Sequence, residues 1–105
     1  MSAITRLADK VEAGTATPAD FVEKGLMENI SAPKSAWKAY NGSLDAAMAL
    51  HEVVLPGWEW ERHHKREMVV WNYGVLQSKW GRSGNPDPAR AWLLAIIRAL
   101  AQVQK

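Results

Sequence analysis

The sequence contains no cysteine, and this absence excludes several kinds of chemistry at once. Disulfide frameworks, thiolate nucleophiles and cysteine-based zinc sites all need the missing residue. Long apolar runs are absent too, since none approaches the roughly 20 residues of a membrane-spanning helix. Residues 1–14 carry charges every few positions, so we expect no signal peptide. We therefore expect a cytoplasmic protein with no membrane association.

A strong excess of one charge is also missing. The net charge is +2 over 105 residues and the isoelectric point is near 9.1, which is mild for a dedicated nucleic-acid binder. The balance is uneven, because residues 1–30 carry three basic and five acidic groups, while residues 31–105 carry a net charge of +4. The length predicts a single domain over residues 1–105, with one modest core.

The clearest pattern that is present lies near the C-terminus. Asp87 suits a helix N-cap and Pro88 suits the first helical position. Apolar residues then recur at three- and four-residue spacing and predict one broad buried stripe: Ala89, Trp92, Leu93, Ile96, Ile97, Leu100 and Val103. We expect this helix to form the main surface of the core, with Leu93 and Ile96 almost fully buried.

The same helix has a second strip of small residues. Ala91, Ala95 and Ala99 recur every four residues, with Leu94 beside them on the helical wheel. A helix that faces water normally carries more charge, so this strip should be covered. Two interpretations stay open: the first helix of the same chain covers it, or the strip contacts a second copy or a host protein.

Two helix signals mark the N-terminal region. The first helix has one apolar face and can end at Gly14: Ile4, Leu7, Ala8 and Val11 form that face. A second helix begins with Thr17 as N-cap and Pro18 at the first position. Asp20 stands where a capping-box acid would reach back to the cap.

The middle of the chain is predicted to be irregular before a further helix begins. Pro33 and the turn signal Asn41-Gly42 predict a loop over residues 31–42. Ser43 then caps a short helix with Asp45 in its first turn. The predicted inward face of that helix consists of Leu44, Ala47, Met48 and His51.

Strand patterns follow. Residues 58–63 alternate in polarity and residues 67–73 are rich in valine and aromatics. A symmetric hairpin predicts three opposed pairs: Trp58 with Trp71, Trp60 with Val69, and Arg62 with Glu67. Residues 75–80 are either a third strand, with Leu76 opposite Trp71, or the end of one long second strand, and residues 81–86 are a flexible link. The order of elements predicts an α+β fold, in which a small antiparallel sheet of two to three strands packs with N-terminal helices and a long C-terminal helix.

The candidate site is a basic run at the predicted hairpin tip, next to Trp60: Arg62, His63, His64, Lys65 and Arg66. Basic groups beside tryptophan are typical of a partner- or phosphate-binding loop, and an exposed tryptophan would be an interface anchor. The alternative interpretation is a solvated hairpin end, where charges keep the sheet edge from aggregating.

Chemical motifs are missing elsewhere. Adjacent histidines on a strand point to opposite faces, so we predict no metal site. Glu59 and Glu61 share a strand face but lack an accompanying nucleophile or ligand set, which favours a solvated face. There is no P-loop, no G-x-S-x-G and no H-E-x-x-H. We therefore predict no catalytic residues, no cofactor and no enzymatic activity.

Several segments resemble a known group of proteins. The segments ITRLADKVEAGT, SLDAAMAL, LPGWEWE and NPDPARAWLLAIIRAL are similar to small phage and prophage proteins of alphaproteobacterial type, which are related to the phage ABA-sandwich domain. Residues 17–40 depart from the usual form. The resemblance implies a sheet between helical layers and an accessory role in a phage or prophage. The shared motifs are structural, so no functional residue is carried over.

Together these observations predict a non-enzymatic binding protein. Because the resemblance implies a phage or prophage origin, we expect the protein to inhibit a component of host defence by protein–protein contact in the host cytoplasm. The alternative is a nucleic-acid or nucleotide-binding module that uses the loop at residues 62–66. A host protein is the expected partner, and a homodimer stays open.

Overall fold

The computed structural model describes residues 3–21, 32–63, 67–73, 78–84 and 87–103. Within them lie helices α1 (Ala3–Ala13), α2 (Pro18–Phe21), α3 (Ala32–Tyr40) and α4 (Leu44–Val54), strands β1 (Glu59–His63), β2 (Glu67–Tyr73) and β3 (Ser78–Gly84), and helix α5 (Pro88–Val103). Helices, a three-stranded antiparallel meander and a final long helix follow one another along the chain. This is the α+β arrangement that the sequence predicts.

Helix α5 forms the centre of the core. The Asp87 carboxylate accepts a hydrogen bond from the backbone N–H of Ala89 at 2.9 Å, which confirms the predicted N-cap. Leu93 and Ile96 are fully buried, as predicted. The rest of the predicted stripe is buried as well, except for Val103, whose side chain lies outside the described part.

The small-residue strip on α5 is covered within the chain. Ala91, Ala95 and Ala99 have no exposed surface in the single chain. Helix α1 packs along α5, and an ion pair between Arg98 and Glu12 joins the two helices. Of the two interpretations of this strip, the structure therefore favours burial by helices of the same chain.

The N-terminal helix boundaries follow the predicted signals. Gly14 ends α1 with φ of +77°, a conformation that suits glycine. Asp20 accepts hydrogen bonds from the backbone N–H of Thr17 at 2.7 Å and from its hydroxyl at 3.0 Å, so the capping acid reaches back as predicted. Residues 22–31, which follow α2, lie outside the described residues.

The prediction of an irregular segment at residues 31–42 was wrong for most of its length. Residues 32–40 form α3, and only the turn at Asn41-Gly42 follows the prediction. Pro33 is the second residue of the helix, where a missing backbone N–H costs no intrahelical hydrogen bond. Trp37 and Tyr40 stack with ring centroids 5.5 Å apart and pack beside Phe21.

Helix α4 turns a different face inward from the one predicted. The Ser43 hydroxyl accepts from the backbone N–H of Ala46 at 3.1 Å, which confirms the cap. Ala47 and His51 are buried as predicted, together with Ala46 and Leu50. Leu44 and Met48 are instead 46% and 41% exposed, because the helix packs against α3 and α5 through the adjacent face.

The hairpin register differs from the prediction by one residue. Trp60 lies opposite Val70, Arg62 opposite Met68, and His63 opposite Glu67. The predicted pairing of Arg62 with Glu67 and the other two predicted pairs were therefore wrong, because strand pairing extends to His63. Opposed residues share a face of the sheet, so Trp60 and Arg62 lie on the side of buried Met68 and Val70.

A separate third strand is present, but its limits differ from those predicted. Strand β3 pairs Trp80 with Trp71 and extends to Gly84, so the predicted end at residue 80 and the predicted pair of Leu76 with Trp71 were wrong. The predicted start, at residues 75–77, lies outside the described residues. Gly81 and Gly84 belong to the strand and not to a flexible link. Glycine is depleted in strands, which explains why the pattern suggested a link.

The described elements form three layers. The sheet packs on α5, and helices α1, α3 and α4 pack on the other sides of α5. In this part of the chain the middle layer is therefore a helix, whereas the family resemblance implies a sheet in the middle. No helix in the described residues is long and apolar enough to cross a membrane.

Candidate functional site

The structure describes part of the predicted basic run. Arg62 is exposed in β1, and the backbone of His63 ends that strand. His64, Lys65 and Arg66 lie outside the described residues, as does the side chain of His63. The predicted exposed tip at 63–66 is therefore untested. Trp60, the remaining predicted site residue, is 43% exposed.

Trp60 is held in place although it reaches solvent. Its ring lies 4.4 Å from that of Trp92, measured between centroids, with 37° between the ring planes. Trp92 itself is buried in α5. An exposed indole that rests on a buried one loses little freedom on binding, which makes Trp60 a suitable anchor for a partner.

A groove of about 240 Å³ opens beside Trp60, between α4, the sheet and the start of α5. We call it the Trp60 groove; it is lined by Leu44, Asp45, Met48, Trp60, Arg62, Met68, Pro88 and Trp92. Leu44 and Met48 stand one turn apart on α4 and form one wall, Trp60 and Arg62 form the other, and Met68 and Trp92 are buried below.

Local sequence signals place the two helices that border the groove. Ser43 caps α4 and Asp87 caps α5, so both helices begin at this site. Gly42, with φ of +105°, makes the turn before α4, and a Cβ added there would lie 3.3 Å from Oδ2 of Asp87. Arg90 donates two hydrogen bonds to the carbonyl of Tyr40, at 3.1 and 3.0 Å, which ties the start of α5 to the end of α3.

A buried histidine supports the floor of the groove. His51 is 3% exposed, and its Nδ1 lies 3.3 Å from Nε1 of Trp92. The indole N–H can only donate, so Nδ1 accepts and the imidazole proton resides on Nε2. Nε2 then donates to the carbonyl of Trp58 at 2.9 Å. Neutral His51 thereby connects α4, the segment before β1, and α5 behind Trp60.

The groove carries two charges on opposite walls. Asp45 is exposed in the first turn of α4, and Arg62 is exposed on β1. The remaining lining is apolar, with no nucleophilic hydroxyl or thiol. In the described residues no group of three or more His, Asp and Glu side chains could hold a metal ion. The arrangement is suited to binding an apolar group between two charges.

The carboxylates of β1 face away from the groove. Glu59 and Glu61 alternate with Trp60 and Arg62, so they lie on the other face of the sheet, and both are exposed. They do not converge with Asp45 or His51. The interpretation as a solvated sheet face fits this placement.

Sequence reasoning found Trp60 and Arg62 but missed the rest of the groove. Leu44 and Met48 were assigned to the inward face of α4. The predicted register placed Val69 opposite Trp60, whereas the observed register places Met68 and Val70 on that face of the sheet. The alternation in residues 58–63 placed Trp60 with Arg62, but nothing local linked them to α4. Comparison of the chain with protein-family models, curated proteins and solved structures finds no match.

Proposed function

We propose that this chain is a non-enzymatic binding protein that acts by protein–protein contact through the Trp60 groove. The observation that carries the proposal is the exposure of three large apolar side chains around one groove. Leu44, Met48 and Trp60 each expose more than two fifths of their surface there. Isolated exposed apolar residues are ordinary, whereas a contiguous set around a concave site is typical of an interaction surface.

The groove has the composition of an interface centre. Tryptophan, methionine and arginine are the residues enriched there, and Trp60, Met48 and Arg62 supply one of each. The support of Trp60 by Trp92, and of Trp92 by His51, holds the anchor before a partner arrives. Preorganisation of this kind lowers the entropy lost on binding.

The proposed setting is a phage or prophage, and the proposed partner is a host protein that belongs to host defence. The support for this setting is the family resemblance of residues 43–50, 55–61 and 85–100, which implies an accessory role. Inhibition by occupation of a host protein surface requires a binding groove and no catalytic residues, and the groove provides that surface.

An affinity capture from an alphaproteobacterial host lysate tests the proposal. Wild-type protein, Trp60→Ala and Val53→Ala would be compared, each with and without nuclease. Val53 is a matched control because it is 38% exposed on α4 but does not line the groove. We expect a host protein that the wild type and Val53→Ala retain and Trp60→Ala does not. Equal capture by all three proteins would contradict the proposal.

A second candidate function is nucleic-acid or nucleotide binding. The observation that favours it is that Trp60 and Arg62 share a face, which places a stacking ring beside a cation at the start of the basic run. Binding of a single-stranded oligonucleotide should then weaken steeply with salt, and Arg62→Ala combined with Arg66→Ala should reduce that dependence. Salt-independent or absent binding would remove this candidate.

A further inference from the structure

The two charges of the Trp60 groove specify the kind of segment that it can hold. Asp45 lies on the α4 wall and Arg62 on the β1 wall, with apolar side chains between them. We propose that the groove binds an amphipathic helical segment of a partner protein, which presents an acidic side chain to Arg62 and a basic side chain to Asp45. This inference rests on the proposed function and specifies the partner.

The size and shape of the groove favour side chains over a free small molecule. Pockets for drug-sized ligands usually measure about 300–1,000 Å³, and this groove measures about 240 Å³. That space suits one or two large apolar side chains. Leu44 and Met48 form a ridge with i, i+4 spacing along α4, and an apolar helix face with anchors at similar spacing would pack beside such a ridge.

The charges decide the orientation of the segment. Asp45 lies on α4 and Arg62 on β1, and both residues line the groove, so a helix bound between these two elements has one flank near each charge. If the same helix bound in the opposite direction, its acidic side chain would face Asp45 and its basic side chain would face Arg62. Like charges would then lie together on both flanks, which disfavours that orientation. The groove therefore selects a segment with acidic and basic residues on opposite flanks of its apolar face.

A displayed library of random peptides of about 15 residues, roughly four helical turns, supplies the probe. The library would be selected on the wild-type protein and the enriched peptides sequenced. We expect amphipathic sequences with large apolar residues at i, i+4 spacing, an acid on one flank and a base on the other. Trp60→Ala should weaken their binding by at least about tenfold, and Val53→Ala should leave it unchanged.

Charge exchange tests the orientation. Asp45→Lys should weaken an enriched peptide by about threefold, as exposed ion pairs do, and a peptide whose basic residue is changed to glutamate should recover the loss. If Trp60→Ala lowers stability, Leu44→Ala serves as a second apolar variant of the groove. The exposed position of Leu44 means that its truncation spares the fold. Thermal unfolding would be recorded for each variant.

Three outcomes would overturn this inference: no enrichment over the Trp60→Ala protein, enriched peptides without the charge pattern, or binding that charge exchange does not alter. A Trp60-dependent host protein in the lysate together with failure of the peptides would keep the proposed function, with a folded surface as the partner. If an oligonucleotide displaced the bound peptides, the groove would be a nucleic-acid-binding site instead.

Discussion

Replacement of Leu93 by alanine should test whether α5 is the centre of the core. Leu93 has no exposed surface. The substitution removes three carbon atoms, worth about 2.4 kcal/mol at roughly 0.8 kcal/mol for each buried methylene. The cavity that remains adds to this loss, because helices on one side and the sheet on the other limit its collapse. We expect the free energy of unfolding to fall by about 3–4 kcal/mol, within the usual range of about 2–5 kcal/mol.

A domain of this length is typically stable by about 5–15 kcal/mol, so the variant should lose a large part of its stability. Urea unfolding followed by tryptophan fluorescence measures the change, and the slope of the transition should stay the same. Leu44→Ala is the matched control, since it removes the same three carbon atoms from a side chain that is 46% exposed. It should lower the free energy of unfolding by only about 1 kcal/mol, because roughly half of the same transfer term applies. An unchanged midpoint for Leu93→Ala would refute the assignment of α5 to the core.

Three further predictions concern other contacts. The pKa of the Asp20 carboxyl lies below its usual value of 3.8, mainly because the Lys10 ammonium donates a hydrogen bond to it at 2.8 Å. The resulting stabilisation should be complete above pH 5 or so and be lost as the pH falls through the lowered pKa, so acid titration of Asp20→Asn should show a smaller loss over that interval. His51→Ala should leave the Trp92 N–H unsatisfied and lower the free energy of unfolding by roughly 1–3 kcal/mol in urea melts, whereas an unchanged free energy of unfolding would contradict the hydrogen-bonded role. Ala95→Glu should place a carboxylate in the covered strip and lower the thermal midpoint sharply, and a midpoint near that of the wild type would show that the strip is accessible.

Local chemistry was sufficient to predict where most elements begin. Ser43 and Asp87 cap their helices as predicted, because an N-cap needs only a side-chain oxygen and the N–H groups that follow it. Asp20 reaches back to Thr17 for the same reason. The periodic stripe of α5 was equally clear, since its large apolar residues recur at three- and four-residue spacing. The α+β class follows from the order of these elements.

The limits of β3 and the existence of α3 could not be predicted from local chemistry. Proline near a helix start is compatible with both a loop and a first turn, and only the packing of Ala36 and Ala39 into the core selects the helix. Gly81 and Gly84 have no strand preference, but a strand beside β2 gains backbone hydrogen bonds without side chains. Both elements are therefore decided by neighbours distant in sequence.

The candidate site was likewise determined partly by the sequence and partly by the tertiary structure. From the sequence, Trp60 and Arg62 share a face, because alternation along a strand has a period of two. Which face that is depends on the register, and a shift of one residue moves every opposed side chain to the other side of the sheet. The tertiary structure settles the register through the burial of Met68 and Val70 against α5. It also rotates α4 so that Ala47 and Leu50 fill the core, which leaves Leu44 and Met48 to form the groove wall beside Trp60.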